Sequence, residues 1–546
     1  MSVMAYAPYG AGGVIVRVEA DIRRGIPGID ISGLAEPAVR EARERVRAAF
    51  RNSGFRFPPD RILINLAPAG FKKDGAALDL PIALAVMAAA GLAPVPSGLL
   101  VMGELELSGL VRPVRGVLAA IAAGRDEGIG SFIVPFGNSA EAVILPGVRF
   151  AAVATLQEAV AALFCIAENG SLPENAAGAA AENTGTAESC GDFADVRGQA
   201  VYKRALEIAA AGGHNTMVFG PPGAGKTMLA RMLPSIMPPL TPSEAVEVTR
   251  LYSLAGPLKG GGGSGGEFID RLISEPPFRA PHHCASAEGI LGGGRVPRPG
   301  EISLAHFGVL FLDEAPEFRG SVLQALREPL EDRVISISRA EGTLRLPAEF
   351  QLLLATNACP CGRLGKRRAE SVNDAAGGSF GGFGKANTVD CLCSPEEIYR
   401  YWRKFCGALL DRIEIRVPVI PPGISDLGSP GAGGGGERSA EIAGRVKAAV
   451  DIQRRRFAGA GIRRNALIPA GKMEAFCPME DEARRALEKA ITALGLSGRA
   501  YHGVLRVART IADIDGSDVI NAVHILEAVQ HRRYGEDPYE ILHVDG

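Results

Sequence analysis

Residues 218–227, VFGPPGAGKT, place three glycines, a lysine and a threonine at the end of an apolar run. The spacing is G-x-x-x-x-G-K-[ST], the pattern of a phosphate-binding loop. Gly220, Gly223 and Gly225 let backbone N–H groups close around phosphate oxygens at the positive end of the following helix, and Pro221, Pro222 and Ala224 complete the loop. Lys226 is placed to reach the β and γ phosphates of ATP, and the Thr227 hydroxyl to bind Mg²⁺. A second apolar run, GVLFLDEAPEF (308–318), ends in Asp313 and Glu314. Alone, it reads as an ordinary strand-to-loop cap. Beside a phosphate loop, Asp313 is the residue to hold Mg²⁺ and Glu314 the one to polarise an attacking water. Adjacent carboxylates argue for hydrolysis rather than binding alone.

A third run, FQLLLATN, ends in Asn357, placed to orient that water. An Asn that merely ends a strand in a turn reads the same way. A γ-phosphate transition state also needs positive charge. Arg412, in ALLDRIEI, opens a β-like run from which it could project into a neighbouring subunit, and Arg499, in LSGRAYHGVLRVART, opens a helix. Either could equally be a surface arginine.

Cys359 and Cys361 follow Asn357 at once, and Cys391 and Cys393 form a second C-x-C pair. Four thiolates in a reducing compartment can close a tetrahedral Zn²⁺ site and fold an excursion that has no core of its own. Four small, half-buried side chains are the plainer reading. Nine cysteines, an odd number scattered through a long chain, do not form a disulfide framework. The other five, and His282–His283, read as packing or loop residues.

The elements that must position these groups fall into blocks. At 546 residues the chain is too long for one core. Residues 1–165 mix short β-like runs with helical patterns and form one α/β unit. Residues 166–192 are small, polar and acidic, and read as a flexible linker. Residues 193–427 form a second α/β unit interrupted by glycine-rich tracts (260–266 and 375–384), and a further tract (428–436) precedes a helical segment, 437–546. The uncharged stretch 80–103 contains three prolines and reads as a buried helix and turn, not a membrane span. The N-terminus lacks the basic start and apolar core of a signal peptide, so cytoplasm is the expected compartment, with no membrane partner. Net charge is −2, so any nucleic-acid surface must be local.

In order and spacing the motifs resemble the YifB/ComM-type magnesium-chelatase-like AAA+ ATPases. Besides the two nucleotide motifs, the resemblance includes FRAPHHCASAEGILGGG, LREPLEDRVISISRA, CPCG, SPEEIYRYWRKFCGALLDRIEI and RAYHGVLRVARTIAD. It implies a P-loop AAA+ core with a C-terminal helical lid, assembling as a ring, a homo-hexamer, with ATP between subunits. Arg412 then takes the arginine-finger position acting on the neighbour's nucleotide, and Arg499 the sensor-2 position on the lid. Residues 333–350 resemble the pre-sensor hairpin of replicative helicases, with Arg339 and Arg345 near its tip. Ala358 stands where the family usually has Pro, and Gly503 where it usually has Arg.

The N-terminal unit resembles the ribosomal-protein-S5-like fold shared with the proteolytic domain of Lon. Ala77 stands at the place of the Lon-type serine and Leu118 at that of its lysine, so no Ser-Lys dyad can form and a peptidase is excluded. Arg40, Arg43, Arg45, Arg47 and Arg51, interleaved with Glu41 and Glu44, read as a solvated, salt-bridged helix face. Three tasks compete for the motor. One is translocation on DNA, as in branch migration during recombination or natural transformation, supported by seven basic residues against Asp451 in residues 444–464. The others are a magnesium-chelatase-like role and remodelling of a protein partner.

Overall fold

The computed structural model describes residues 1–33, 37–70, 73, 76–172, 191–256, 271–294, 297–339, 342–364, 391–420 and 436–533. The glycine-rich tracts, most of the expected linker and the side chains of Arg40 and Arg339 lie outside the described residues.

In the N-terminal domain one sheet is built from β1 (Ser2–Ala7), β2 (Val14–Arg23), β3 (Gly28–Ser32), β4 (Arg61–Ala67) and β5 (Leu99–Val101). After a ribbon of β6 (Glu104–Leu105) and β7 (Val111–Arg112) it continues with β8 (Ser131–Pro135) and β9 (Arg149–Val153), in the order 3-4-2-1-5-8-9. Alternation of buried and exposed residues along β4 shows one face turned to a core. The helix Asp79–Ala89 lies in that core and is buried on almost every side, which is why its sequence carries no charge after Asp79. Among the described residues no helix is long and apolar enough to cross a membrane.

The buried Asp79 is met by Arg45, whose Nε lies 2.6 Å from Oδ2 and Nη2 3.0 Å from Oδ1. Burial pushes the Asp79 carboxyl up to about 6 despite that guanidinium, while the same hydrogen bond holds Arg45 above its ordinary value. The expectation of a wholly solvated helix face is therefore corrected for Arg45, which looks inward because a buried carboxylate needs a partner. The first boundary also moves. The helix Leu156–Asn169 runs past residue 165 to a left-handed Gly170, and Leu172 still packs in the N-terminal core. Asp192, assigned to the linker, caps the turn Phe193–Asp195 and accepts the Ser439 N–H at 3.0 Å, so it belongs to the second unit.

The second unit holds β10 (Thr216–Phe219), β11 (Phe278–Arg279), a ribbon of β12 (Gly292–Gly293) and β13 (Arg298–Pro299), β14 (Val309–Leu312), the antiparallel hairpin β15 (Val334–Arg339) and β16 (Gly342–Pro347), β17 (Gln351–Thr356) and β18 (Ile415–Pro418). Five of these form a parallel sheet in the order 11-14-17-10-18. The strands β10, β14 and β17 are buried throughout and mostly apolar because helices cover both faces. The lid helices Ser439–Arg456, Asp481–Leu494, Gly498–Ile514 and Ala522–Arg533 share one apolar core with the helix Ala200–Gly212. On the hairpin, Arg345 stands opposite Ser336 in mid-strand rather than at the tip.

The two α/β units meet along the helix Pro242–Ala255. Its Leu254 packs in an N-terminal core cluster with Tyr6 and Val117, and its Ser253 carbonyl accepts the Gly116 N–H at 3.0 Å. The Ser253 hydroxyl donates to the buried Glu141, whose Oε1 also accepts the Leu118 N–H at 2.9 Å. Ala11 of the N-terminal domain packs against the cluster that includes Ile335 and Leu346 of the hairpin.

Candidate active site

Residues 220–225 form the turn between β10 and the helix Lys226–Met232. A Cβ on Gly220 would lie 2.1 Å from the Val419 carbonyl oxygen, so only glycine lets the loop pass the neighbouring strand. Gly225 has φ of 86° immediately before the helix, a conformation that side chains other than hydrogen resist. Gln199, which sequence reasoning missed, holds the loop from behind: its Nε2 donates to the Ala224 carbonyl at 3.2 Å and to that of Ile420 at 2.6 Å.

Lys226 is buried, and its Nζ donates to the carbonyls of Gly220 (2.7 Å) and Pro221 (2.9 Å) and to Asn357 Oδ1 (3.2 Å). Burial brings the ammonium down to about 8, against the raising fields of Asp313 and Glu314. Thr227 Oγ1 donates to Asp313 Oδ2 at 2.7 Å. Two hard oxygen donors, one on the helix after β10 and one just past the end of β14, thus meet beside the phosphate loop, a donor set that fits Mg²⁺ with phosphate and water as its remaining ligands. Parallel pairing explains the convergence, because β10, β14 and β17 all end on the same side of the sheet.

Glu314 adopts φ of 48°, a left-handed conformation that costs a non-glycine residue about 1 kcal/mol and is typical of functional positions. Its carboxylate is exposed, with Oε2 4.0 Å from His283 Nδ1. His283, read from the sequence as a packing or loop residue, stacks on His282 with ring centroids 4.1 Å apart. The only signal for this neighbour was the presence of the His pair in a quoted motif.

Arg412 and Arg499 lie elsewhere. Arg412 precedes β18, which runs parallel to β10 with Thr216 opposite Ile415 and Phe219 opposite Pro418. Arg412 is therefore at the edge where the strands begin, the far side from the phosphate loop, and its carbonyl accepts Asn215 Nδ2 at 2.9 Å. Its guanidinium does not project freely: Nη2 lies 2.6 Å from Glu331 Oε1, and Nη1 donates to the Ala408 carbonyl. Arg499 pairs with the same Glu331 oxygen. The two arginines, with Arg333, Arg506 and Gly503, line a cavity of about 590 Å³ between sheet edge and lid. The arginines called from the sequence thus form a second cluster, joined by a glutamate that sequence reasoning missed.

The four cysteines converge. Their Sγ atoms all lie within 4.8 Å of one another, with Cys359–Cys361 at 3.4 Å and Cys361–Cys391 at 3.5 Å. The Leu364 N–H donates to Cys359 Sγ at 3.4 Å. Burial raises the Cys361 thiol, but the N–H groups of Arg363 and Leu392 and the adjacent thiols outweigh it and bring it to about 6. Four soft sulfur donors at this spacing fit a tetrahedral Zn²⁺ ion. The cluster is tied to the catalytic edge through Ala358, whose carbonyl accepts Trp402 Nε1 at 3.0 Å.

Much of the basic stretch 444–464 is engaged within the chain rather than free to face phosphate. Arg445 pairs with Glu207 and Glu437, Arg454 with Asp451, Arg456 with the buried Asp513, and Arg463 with Glu244 and Glu349. Arg464 is enclosed, and burial draws it down to about 10. Arg445 and Arg463 tie the lid to the ATPase core and Arg456 joins two lid helices, while Lys447 and Arg455 remain exposed.

A parallel sheet of this order, a phosphate loop, a strand ending in Asp-Glu and a helical lid define a P-loop core of the AAA+ class, preceded by an S5-like, Lon-protease-like domain. The family model described as "Magnesium chelatase, subunit ChlI" matches residues 192–380 and 375–426. "Subunit ChlI of Mg-chelatase" matches 18–138, and "Magnesium chelatase, subunit ChlI C-terminal" matches 436–532. The protein YifB of Salmonella typhimurium is 39% identical over 535 residues, covering 96% of each chain. Competence protein ComM of Haemophilus influenzae is 38% identical over 543 residues, covering 97% of each. Lon protease 2 of Bacillus subtilis is 29% identical over 188 residues, 31% of this chain and 33% of its own. The chain belongs to the magnesium-chelatase-like AAA+ family that includes YifB and ComM.

Proposed function

We propose that the chain is a ring-forming ATPase that couples Mg²⁺-dependent hydrolysis of ATP to movement along DNA, in recombination or uptake of foreign DNA. The observation that carries this reading is the separation of two half-sites to opposite edges of one parallel sheet: Lys226, Thr227, Asp313 and Asn357 on one side, Arg412 and Arg499 on the other. Neither half is a complete site. Head-to-tail packing in a closed ring, a hexamer by family resemblance, would bring one subunit's arginines to the next subunit's nucleotide.

In that arrangement the N–H groups of residues 223–227 and the Lys226 ammonium bind the triphosphate. Thr227 and Asp313 hold Mg²⁺, which when bound neutralises charge on the β and γ phosphates. Glu314 accepts a proton from the attacking water and Asn357 fixes its direction. Arg412 and Arg499 of the adjoining subunit stabilise the charge that develops on the transferred phosphoryl group. Arg499 acts on the neighbour's nucleotide here, not its own subunit's, because it shares Glu331 with Arg412.

DNA is favoured as the track because the relative ComM is a competence protein and because Arg345 is exposed on the hairpin. The test is ATP hydrolysis by the purified chain with single-stranded, duplex and four-way-junction DNA, with Glu314→Gln as the blank. Strong stimulation by DNA at physiological salt is expected. Hydrolysis indifferent to every DNA would overturn the DNA reading and turn attention to a protein substrate.

A further inference from the structure

A groove of about 700 Å³ crosses the N-terminal domain where the helix Pro37–Asn52 ends. Its floor is aromatic. Phe55 and Phe57 are half-buried and meet the buried Phe50 ring edge-on, with centroids 6.5 and 5.1 Å away. Its walls carry Arg47 and Arg51, one helical turn apart, and Arg56 beyond them, all exposed. The turn between is pinned in place: the Ser53 N–H donates to Ala49 O and the Phe55 N–H to Phe50 O, each at 2.9 Å, while Gln157 Nε2 donates to Ser53 O at 2.9 Å.

The charge here is not neutralised. Glu41 lies 4.0 Å from Arg45 and Glu44, which also lines the groove, 4.0 Å from Arg43. Arg47, Arg51 and Arg56 form no ion pair with any described residue. This contrasts with residues 444–464, whose arginines are mostly engaged inside the protein. Guanidinium groups beside half-exposed aromatic rings suit a nucleic acid whose bases are unpaired, since phosphates take the charge and bases stack on the rings. A duplex hides its base faces, and the carboxylates of an acidic peptide would use the arginines but not the floor, whereas a single strand offers a phosphate and a planar base at every step.

We propose that this groove binds a single strand of DNA, and so gives the motor a second DNA contact outside its nucleotide-binding unit. The proposal rests on the DNA reading above. The test is fluorescence anisotropy of a labelled oligothymidylate with the full chain across a salt series, alongside a duplex of equal length. The variant Arg47→Ala/Arg51→Ala/Arg56→Ala alters exposed side chains only, and unchanged melting and DNA-free ATPase confirm its fold. Three lost phosphate contacts predict a single-strand affinity about tenfold or more weaker, with a log–log salt slope shallower by about two.

A second variant, Phe57→Leu, keeps apolar packing on Phe50 but removes the ring face, and should weaken single-strand binding about fivefold or more with duplex affinity unchanged. A bromouracil-substituted strand should crosslink to the peptide carrying residues 55–57. If the wild type binds DNA and is stimulated by it, but the triple variant keeps its affinity and slope, the groove is wrong and the motor reading stands. Equal losses for strand and duplex would overturn the single-strand assignment. A wild type that binds no DNA at all would overturn both readings.

Discussion

Glu331 Oε1 lies 2.6 Å from Arg412 Nη2, at the sheet edge remote from the phosphate loop. Arg412 is nearly buried, and the Glu331 carboxyl is held below its ordinary range chiefly by this hydrogen bond. An arginine so placed cannot serve Lys226 of its own chain, since the strands between them run from one edge of the sheet to the other.

Two inactive variants should therefore rescue each other. Lys226→Ala and Arg412→Ala chains should each lose about a thousandfold or more of ATPase activity when assayed alone. Mixed before assembly, they should regain measurable turnover, because some interfaces pair an intact phosphate loop with an intact arginine. Mixtures as inactive as their components would place both residues in one subunit's site and refute assembly across the interface.

Glu331 competes with any phosphate for the two arginines. Glu331→Gln removes the competing charge while keeping the shape. It should lower the protein concentration at which ATP drives ring assembly, read by light scattering or sedimentation, with the melting temperature of the dilute chain unchanged. Weaker assembly would show instead that the glutamate orients the guanidinium groups rather than restraining them.

Lys226 supplies a pH signature. Its ammonium titrates near 8 in the free protein and must be charged to hold phosphate. Bound phosphate raises that value, so nucleotide binding takes up a proton above it. Affinity for ATP should be level near pH 7 and fall as pH rises through 8, by at most about tenfold per unit. Titration with a fluorescent ATP analogue between about pH 7 and 9.5 measures it, and a flat profile would mean that the lysine is already charged throughout.

The cysteine cluster has a built-in reporter. The chain has one tryptophan, and Trp402 is buried, bonded to Ala358 beside Cys359 and set edge-on to Phe219 with centroids 5.6 Å apart. About one zinc per chain is expected by elemental analysis. Its removal by a chelator, or a Cys361→Ser change, should red-shift the Trp402 emission. Metal-free protein with unshifted emission would leave the cysteines as packing groups.

What could be read in advance follows the range of the interactions. The phosphate loop, Asp313, Glu314 and Asn357 each sit at the end of an apolar run, so local pattern was enough to find them. The convergence of the cysteines was legible in a different way, from the repeated C-x-C spacing of two distant pairs. The partners of the arginines were not. Arg445, Arg456 and Arg463 look like a free basic stripe in sequence, yet Glu207, Asp513 and Glu244 reach them from distant helices. Arg45 likewise turned inward to an aspartate on another helix. Sheet order decided the rest, because nothing near Arg412 in the chain says on which edge β18 begins.

The position where a Lon-type peptidase would keep its lysine is occupied by Leu118, whose amide is held by Glu141, and Glu141 in turn is fastened to Ser253 of the motor. Restoring a serine at Ala77 and a lysine at Leu118 would therefore not revive proteolysis. A lysine at the fully buried position 118, beside the amide that Glu141 holds, would be out of reach of an incoming polypeptide. The joint would therefore act as a ratchet: where the resemblance to Lon would put a base, this chain has a fastening to its motor, closed by the architecture as well as by the missing nucleophile.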